Sequence, residues 1–135
     1  MIRVLGSAAL WVAPIVFLCS ALVAAGAPPL SYTADQAWHG RLVYFEHCAE
    51  CHGGGLQGQI GPALAGPDAR TQWETGQYIF EYTTAMMPHG DAGGLSSADY
   101  INVMAFLLQQ HRFRAGSAPL TKADLEADTT VPLGR

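Results

Sequence analysis

The sequence predicts a small all-α domain that follows an apolar N-terminal segment. No segment alternates apolar and polar residues convincingly as a strand does. Several stretches instead begin with a helix-capping residue and carry apolar residues at helical spacing. The chain has 135 residues, which is enough for one domain and too few for two.

Charge and composition exclude several classes of function. The formal net charge is −4 and Lys122 is the single lysine, so we expect no binding to nucleic acid. No glycine-rich run precedes Lys-Ser or Lys-Thr, which excludes a P-loop nucleotidase. The three cysteines, Cys19, Cys48 and Cys51, are too few for a disulfide scaffold of the small secreted type.

Residues 1–25 have the features of an export signal. Arg3 precedes an uncharged apolar run over residues 4–25, and small residues favour cleavage after Ala25. The alternative is an uncleaved anchor, because an apolar run of this length can span a bilayer. Under either interpretation the rest of the chain is exported and periplasmic, and it contacts the membrane only if the segment stays uncleaved.

The first predicted helix follows a short linker. Two prolines make residues 26–32 an extended linker. Thr33 opens a helix with capping-box spacing, and this helix is expected to run to about Cys48. Gly40 lowers the stability of a helix interior, so we expect another backbone to cross closely there.

A glycine- and proline-rich loop over residues 53–70 separates this helix from the next. The next helix is predicted from Thr75 to about Thr84, although Thr71 offers an earlier capping start. Its expected inner face contains Tyr78, Ile79 and Tyr82.

The last predicted helix is the clearest element of the sequence. Ser96 can cap it, Asp99 lies three residues further on, and apolar residues recur at helical spacing at Val103, Phe106 and Leu107. We place the domain at residues 33–114. The tail over residues 115–135 is expected to lie along the domain or to reach a partner.

The motif with the most chemical information is Cys48-Ala49-Glu50-Cys51-His52. In an exported protein, C-x-x-C-H is the attachment motif of c-type haem. Two thiols one turn apart can each add to a haem vinyl group, and the adjoining histidine then lies under the iron. The alternatives are a thioredoxin-like dithiol and half of a zinc site. The pair follows a helix rather than a strand, and no second cysteine pair exists, so haem attachment is the preferred interpretation.

Electron-transfer haem needs a second axial ligand, and Met87 is the candidate. A thioether is a soft ligand that stabilises ferrous iron and raises the reduction potential. Met86 is the neighbouring competitor, and we prefer Met87 because Pro88 fixes the backbone directly after it. Four other histidines are expected to be surface residues: His39, His47, His89 and His111.

The proximal histidine also needs an acceptor for its second ring nitrogen. Pro62, ten residues beyond His52, offers a carbonyl group. The expected apolar walls around the porphyrin are Leu56, Leu64, Trp73, Tyr78, Tyr82 and Phe106.

The stretch from Thr33 to Phe113 resembles a class I c-type cytochrome with one haem. The resemblance rests on the following segments: Gly40 and Tyr44, the Cys-Ala-Glu-Cys-His motif, Gly61-Pro62-Ala63-Leu64, Met87-Pro88, and Asn102-Val103-Met104-Ala105-Phe106-Leu107. It implies a small cytochrome c fold in which the first and last helices cross near Gly40. It also implies that Pro62 accepts the hydrogen bond of His52 and that Met87 is the distal ligand.

A narrower similarity is to monohaem cytochromes that serve quinoprotein alcohol dehydrogenases, through Met-Pro-x-Gly, Leu-Ser and Ala-Phe-Leu-Leu. It implies a one-electron carrier that is not itself an enzyme. Such a carrier accepts electrons from a dehydrogenase and passes them to a terminal oxidase or another cytochrome. The alternative is a peroxidase-like haem enzyme or a ligand sensor, either of which needs an open sixth position on the iron.

Overall fold

The computed structural model describes residues 30–66, 69 and 75–128. All regular secondary structure in this part of the chain is helical. No strand occurs in this part, in agreement with the predicted all-α class. None of the helices within it is long and apolar enough to cross a membrane. The predicted export signal and Trp73 lie outside the described residues. The helices are α1 (Ala34–His47), α2 (Ala49–His52), α3 (Gly76–Met86), α4 (Ser97–Gln110) and α5 (Lys122–Ala127).

The N-terminus of α1 has the capping box that the sequence predicts. The Thr33 hydroxyl accepts a hydrogen bond from the backbone N–H of Gln36 at 3.2 Å. The Gln36 side chain accepts in return from the backbone N–H of Thr33 at 3.2 Å. Two N–H groups that the helix leaves unpaired are thereby satisfied. At its other end α1 stops at His47, and Cys48 caps it.

α1 and α4 cross at Gly40, and this contact organises the core. A Cβ atom added to Gly40 would lie 1.8 Å from the carbonyl oxygen of Asn102 in α4. The rings of Tyr44 and Phe106 pack beside this point with centroids 5.3 Å apart. Tyr44, Val103 and Phe106 are all buried. The crossing predicted from the glycine is therefore confirmed.

α4 begins as predicted and contributes more buried side chains to the core than any other described helix. The hydroxyl of Ser96 accepts from the backbone N–H of Asp99 at 3.1 Å, and Ser96 is the N-cap. The helix then contributes a run of buried side chains: Tyr100, Val103, Met104, Ala105, Phe106, Leu107 and Leu108.

The buried face of α3 differs from the prediction. The Thr75 hydroxyl caps the helix by accepting a hydrogen bond from the backbone N–H of Tyr78 at 3.1 Å. Of the two helix starts that the sequence allows, the structure therefore has the one at Thr75. Ile79 is buried as expected, but its buried neighbour is Phe80, while Tyr78 and Tyr82 are about half exposed. A phenylalanine has no polar group to satisfy, whereas a tyrosine keeps its hydroxyl in water when its ring is only partly covered. The two tyrosine rings stack on each other with centroids 6.3 Å apart.

α5 lies in the segment after α4 and has no counterpart among the predicted helices. Residues 115–128, here called the C-terminal strap, connect the start of α1 with the start of α3. The side-chain amide of Gln36 accepts a hydrogen bond from the backbone N–H of Leu120 at 2.8 Å and donates one to the carbonyl of Leu120 at 2.9 Å. The carboxylate of Asp128 accepts from the backbone N–H of Gly76 at 3.0 Å. Leu125 between them is fully buried. The strap thus forms part of the packed unit.

The residues just before α1 pair with the same strap. Leu30 and Tyr32 are buried. The Tyr32 hydroxyl donates to the carbonyl of Phe113, and the backbone N–H of Gly116 donates to the carbonyl of Tyr32 at 2.8 Å. The residues before α1 are therefore bonded to the segment that follows α4.

Candidate haem site

The cysteine pair and the histidine after it occupy a single helical turn. Cys48 caps α1 and starts the four-residue helix α2, which ends at His52. The backbone N–H of Cys51 donates to the carbonyl of Cys48 at 3.1 Å, and that of His52 donates to the same carbonyl at 2.9 Å. Both cysteines are free thiols of intermediate burial. Two thiols and an imidazole are thus carried by one short, hydrogen-bonded piece of backbone.

His52 is buried and held in one tautomer. Its Nδ1 lies 2.8 Å from the carbonyl oxygen of Pro62. Because a carbonyl can only accept, Nδ1 carries the proton, and the lone pair is on Nε2. Gly61 lies against the ring, since a Cβ atom there would be 2.8 Å from Cε1 of His52. The hydrogen bond expected from Pro62 is present, and it leaves Nε2 able to bind a metal.

The loop that carries Pro62 is tied to both sides of the motif. The backbone N–H of Gly61 donates to the carbonyl of Cys51 at 2.8 Å. The backbone N–H of Leu64 donates to the carbonyl of buried Leu56 at 2.8 Å, and the carbonyl of Leu64 accepts from Nε2 of His111 at 2.9 Å. Leu64 itself is partly buried. The Pro62 carbonyl is therefore positioned by the motif before it and by the end of α4.

Met87 is held at its backbone, whereas Met86 is the more exposed of the two methionines. The Tyr100 hydroxyl donates to the carbonyl of Met87 at 2.7 Å. The backbone N–H of Met87 donates to the carbonyl of Thr83 at 3.0 Å. The side chain of Met87 is partly buried, while that of Met86 is exposed. Tyr100 was missed in the sequence analysis, although a tyrosine in the first turn of a buried helix needs a partner for its hydroxyl.

The four remaining histidines divide into two groups. His39, His47 and His89 are exposed, as the sequence analysis expected. His111 is only partly exposed, and its hydrogen bond to the carbonyl of Leu64 gives it a structural role in the loop beside His52.

The thiol environment is unlike that of a redox-active dithiol. Burial, and after it the charge of the neighbouring Cys51 thiolate, raises the pKa of Cys48 to about 11. A reactive dithiol requires a lowered pKa, which comes from a nearby cation or the N-terminus of a helix. The same burial, with Cys48 as the second cause, raises the pKa of Tyr44 to about 12. The Cys48 thiol therefore stays protonated near neutral pH.

A zinc site also finds no support in the described part of the chain. There, no three or more His, Cys, Asp or Glu side chains are placed to hold a metal ion. Haem c needs a different donor set, namely two thiols for covalent attachment and one or two axial ligands. Cys48, Cys51 and the Nε2 lone pair of His52 meet this need, so the residues present fit the group.

The comparison with protein families gives one match over most of the described domain. A family model with the description cytochrome c oxidase, cbb3-type, subunit III, matches residues 35–107. This range begins in the first turn of α1 and ends in α4, and it includes the cysteine motif, the Pro62 loop and Met87.

Two known proteins are similar to this chain. Thiosulfate dehydrogenase from Stutzerimonas stutzeri (strain A1501) is 33% identical over 109 residues, which cover 70% of this chain and 35% of that protein. The crystal structure of the sulfane dehydrogenase SoxCD from Paracoccus pantotrophus matches with a TM-score of 0.50 and 25% identity. That match covers 61% of this chain and 51% of the SoxCD chain. The chain therefore spans about a third and about half of these two relatives.

Proposed function

Because the chain belongs to the cytochrome c family described as cytochrome c oxidase, cbb3-type, subunit III, we propose that it is a periplasmic one-electron carrier without catalytic chemistry of its own. As a member of this family it has a small all-α cytochrome c fold and binds haem c covalently. The observation that carries the proposal is His52, buried beside two thiols, with Nδ1 fixed on the Pro62 carbonyl at 2.8 Å.

Each residue of the site has a distinct role in this proposal. Cys48 and Cys51 would hold the haem through two thioether bonds, and Nε2 of His52 would bind its iron. Pro62 fixes the orientation and tautomer of the imidazole, and its hydrogen bond makes Nε2 a stronger donor. Leu64, in the same loop, would supply an apolar side chain to the haem pocket. The haem supplies an iron centre that changes by one electron between the ferric and ferrous states.

We expect Met87→Ala to remove the sixth ligand of the iron. The oxidised protein should lose its far-red methionine-to-iron absorption band, and its reduction potential should fall because a soft thioether no longer stabilises ferrous iron. The ferrous variant should also bind carbon monoxide rapidly, whereas the parent protein should not. Met86→Ala is the matched control and should leave all three measurements unchanged. If Met86→Ala has these effects and Met87→Ala does not, the assignment is wrong by one residue.

Carbon monoxide binding to the ferrous protein also distinguishes an electron carrier from the alternative functions. A peroxidase-like enzyme or a ligand sensor needs an open sixth position. Rapid binding of carbon monoxide to the unsubstituted ferrous protein at neutral pH would therefore support an enzyme or a sensor and contradict the carrier.

We further propose that the electron donor is a dehydrogenase and that the acceptor is a terminal oxidase or another cytochrome. Two sources suggest the class of donor. The two relatives are named for the oxidation of sulfur compounds, thiosulfate and sulfane. The short motifs near Met87 resemble cytochromes of quinoprotein alcohol dehydrogenases. The relatives match over longer stretches than these motifs do, so they favour a sulfur-compound dehydrogenase as donor.

The donor proposal is tested by measuring reduction of the holo-protein in a stopped-flow spectrometer. Purified sulfur-compound and quinoprotein dehydrogenases from the source organism are mixed with it in turn. With a net charge of −4 and one lysine, the protein cannot present a lysine ring. The rate should therefore depend only weakly on ionic strength. A steep fall in rate with added salt, or no reduction by either class of dehydrogenase, would contradict the proposal.

A further inference from the structure

A side of α1 next to the face that packs against α4 carries large apolar side chains in contact with solvent. Trp38, Leu42 and Phe45 are 54%, 50% and 48% exposed. The spacing of these residues places them along one side of the helix, together with Arg41. The buried residues Ala37, Gly40 and Tyr44 belong to the side that packs inward. We call Trp38, Arg41, Leu42 and Phe45 the outer α1 patch.

Arg41 lies between the two aromatic rings of the patch. The central carbon of its guanidinium group is 5.7 Å from the centroid of the Trp38 ring and 5.4 Å from that of Phe45. Both distances are within the range of cation–π contact. Over residues 30–66 and 75–128, Lys122 pairs with Glu126 and the His47 ring lies 3.8 Å from the Glu46 carboxylate, and neither contact includes Arg41. The arginine is thus held by aromatic rings and remains available to a carboxylate from another molecule.

The size of the patch suits a transient protein contact. Aromatic side chains carry about 150–250 Å² each, so three large side chains at half exposure present on the order of 300 Å². The largest apolar patch on a typical monomer is of about this size and is often functional. The outer α1 patch is well below the roughly 800 Å² per partner of a stable complex and fits the small interfaces of electron-transfer encounters. Tryptophan and arginine are also the residue types that most often dominate binding energy.

The patch adjoins the haem-binding motif. Phe45 stands three residues before Cys48. Its Cε1 atom is 3.5 Å from the position that a Cβ atom would take on Gly54, two residues after His52. A partner seated on the patch would therefore touch the backbone that carries the cysteines and the proximal histidine.

We propose that the outer α1 patch docks an electron-transfer partner protein that presents a carboxylate among apolar side chains. The carboxylate binds Arg41, and the apolar side chains cover Trp38, Leu42 and Phe45. The inference rests on the proposed function only for the redox role of the partner. A membrane surface fits less well, because the exposed carboxylates of Asp35, Glu46 and Glu50 oppose a uniformly anionic surface, whereas a single partner carboxylate can be placed on Arg41 alone.

Photo-crosslinking in the source organism tests this proposal with the full chain. Leu42 is replaced by p-benzoylphenylalanine, the cells are irradiated, and the covalent product is identified by mass spectrometry. The expected product is an adduct with a redox protein, either a dehydrogenase subunit or another cytochrome. The same photoreactive residue at Gln109, an exposed polar position near the end of α4, serves as the control and should not give this adduct.

A charge reversal tests the role of Arg41. In the chain with the photoreactive residue at position 42, Arg41→Glu should lower the yield of the adduct by about tenfold, as expected for a reversed charge at the centre of an interface. Arg114→Glu changes the net charge by the same amount at another exposed arginine and should leave the yield unchanged.

The outcomes separate this proposal from the proposed function. Each variant is first checked for the absorption spectrum of haem c and for reduction by dithionite, which report the haem site alone. The docking proposal is overturned by an adduct with lipid, with a second copy of the chain or with a protein without a redox centre. It is overturned equally by the absence of any adduct, or by an unchanged yield in Arg41→Glu.

Discussion

Replacing Gly40 with alanine is expected to destabilise the holo-protein by about 1–3 kcal/mol or more, as overpacking of a close-packed core does. The new Cβ atom would meet the carbonyl oxygen of Asn102 at 1.8 Å and its carbonyl carbon at 2.3 Å. The nitrogen of Val103 would lie 2.9 Å away. All three atoms belong to the backbone of α4, so no side-chain rotation relieves the overlap and the two helices must separate. Gly40→Leu should have a larger effect.

Thermal unfolding followed by far-ultraviolet circular dichroism measures this cost. Gly54→Ala is the matched control, because a Cβ atom there meets only Cε1 of Phe45 at 3.5 Å, an ordinary contact. Its midpoint should stay close to that of the parent protein. A Gly40→Ala variant with an unchanged midpoint would contradict the close crossing of α1 and α4.

The second large effect is expected at the cysteine pair. A chain with both Cys48→Ser and Cys51→Ser should carry no covalent haem, because a hydroxyl group cannot replace a thiol in the thioether bond. Mass spectrometry of the exported parent protein should show one added haem that survives acid-acetone extraction, and the double variant should lack this mass. The haem also contributes apolar volume to a small core. We therefore expect the double variant to melt at a lower temperature as well.

Glu50→Gln provides the control for the cysteine variants. Glu50 lies between the two cysteines, is exposed, and has no thiol to lose, so haem attachment should be complete. Covalent haem on the double serine variant would refute the attachment sites. Tightly bound zinc in the parent protein would revive the interpretation of the motif as half of a metal site.

The sequence predicts best the elements that depend on residues close to one another along the chain. Thr33, Thr75 and Ser96 cap their helices through hydrogen bonds to N–H groups three residues away, and such spacing is visible in the sequence. Gly40 pointed to the helix crossing, because an unfavourable residue in a helix interior usually has a packing reason. His52 and its Pro62 acceptor followed from the chemistry of a metal-binding imidazole.

The features that the sequence analysis missed depend on contacts between distant residues. The capping box of α5 at Thr121 and Asp124 has the same spacing as that of α1, but a six-residue helix is stable only where Leu125 is buried against the rest of the fold. The hydroxyl of Tyr100 and the imidazole of His111 act on loops that are 13 and 47 residues away along the chain. No pattern of neighbouring residues in the sequence predicts these two hydrogen bonds.

The C-terminal strap determines the order in which this protein can assemble. Gln36 finds its partner in Leu120, 84 residues later in the chain, and Gly76 finds the Asp128 carboxylate 52 residues later. During synthesis α1, α2 and α3 leave the ribosome before any of these partners exist. Contacts of such long sequence separation form late, since the chain must first close a large loop. The cysteine motif between α1 and the Pro62 loop is therefore synthesised before the strap residues that hold the starts of α1 and α3.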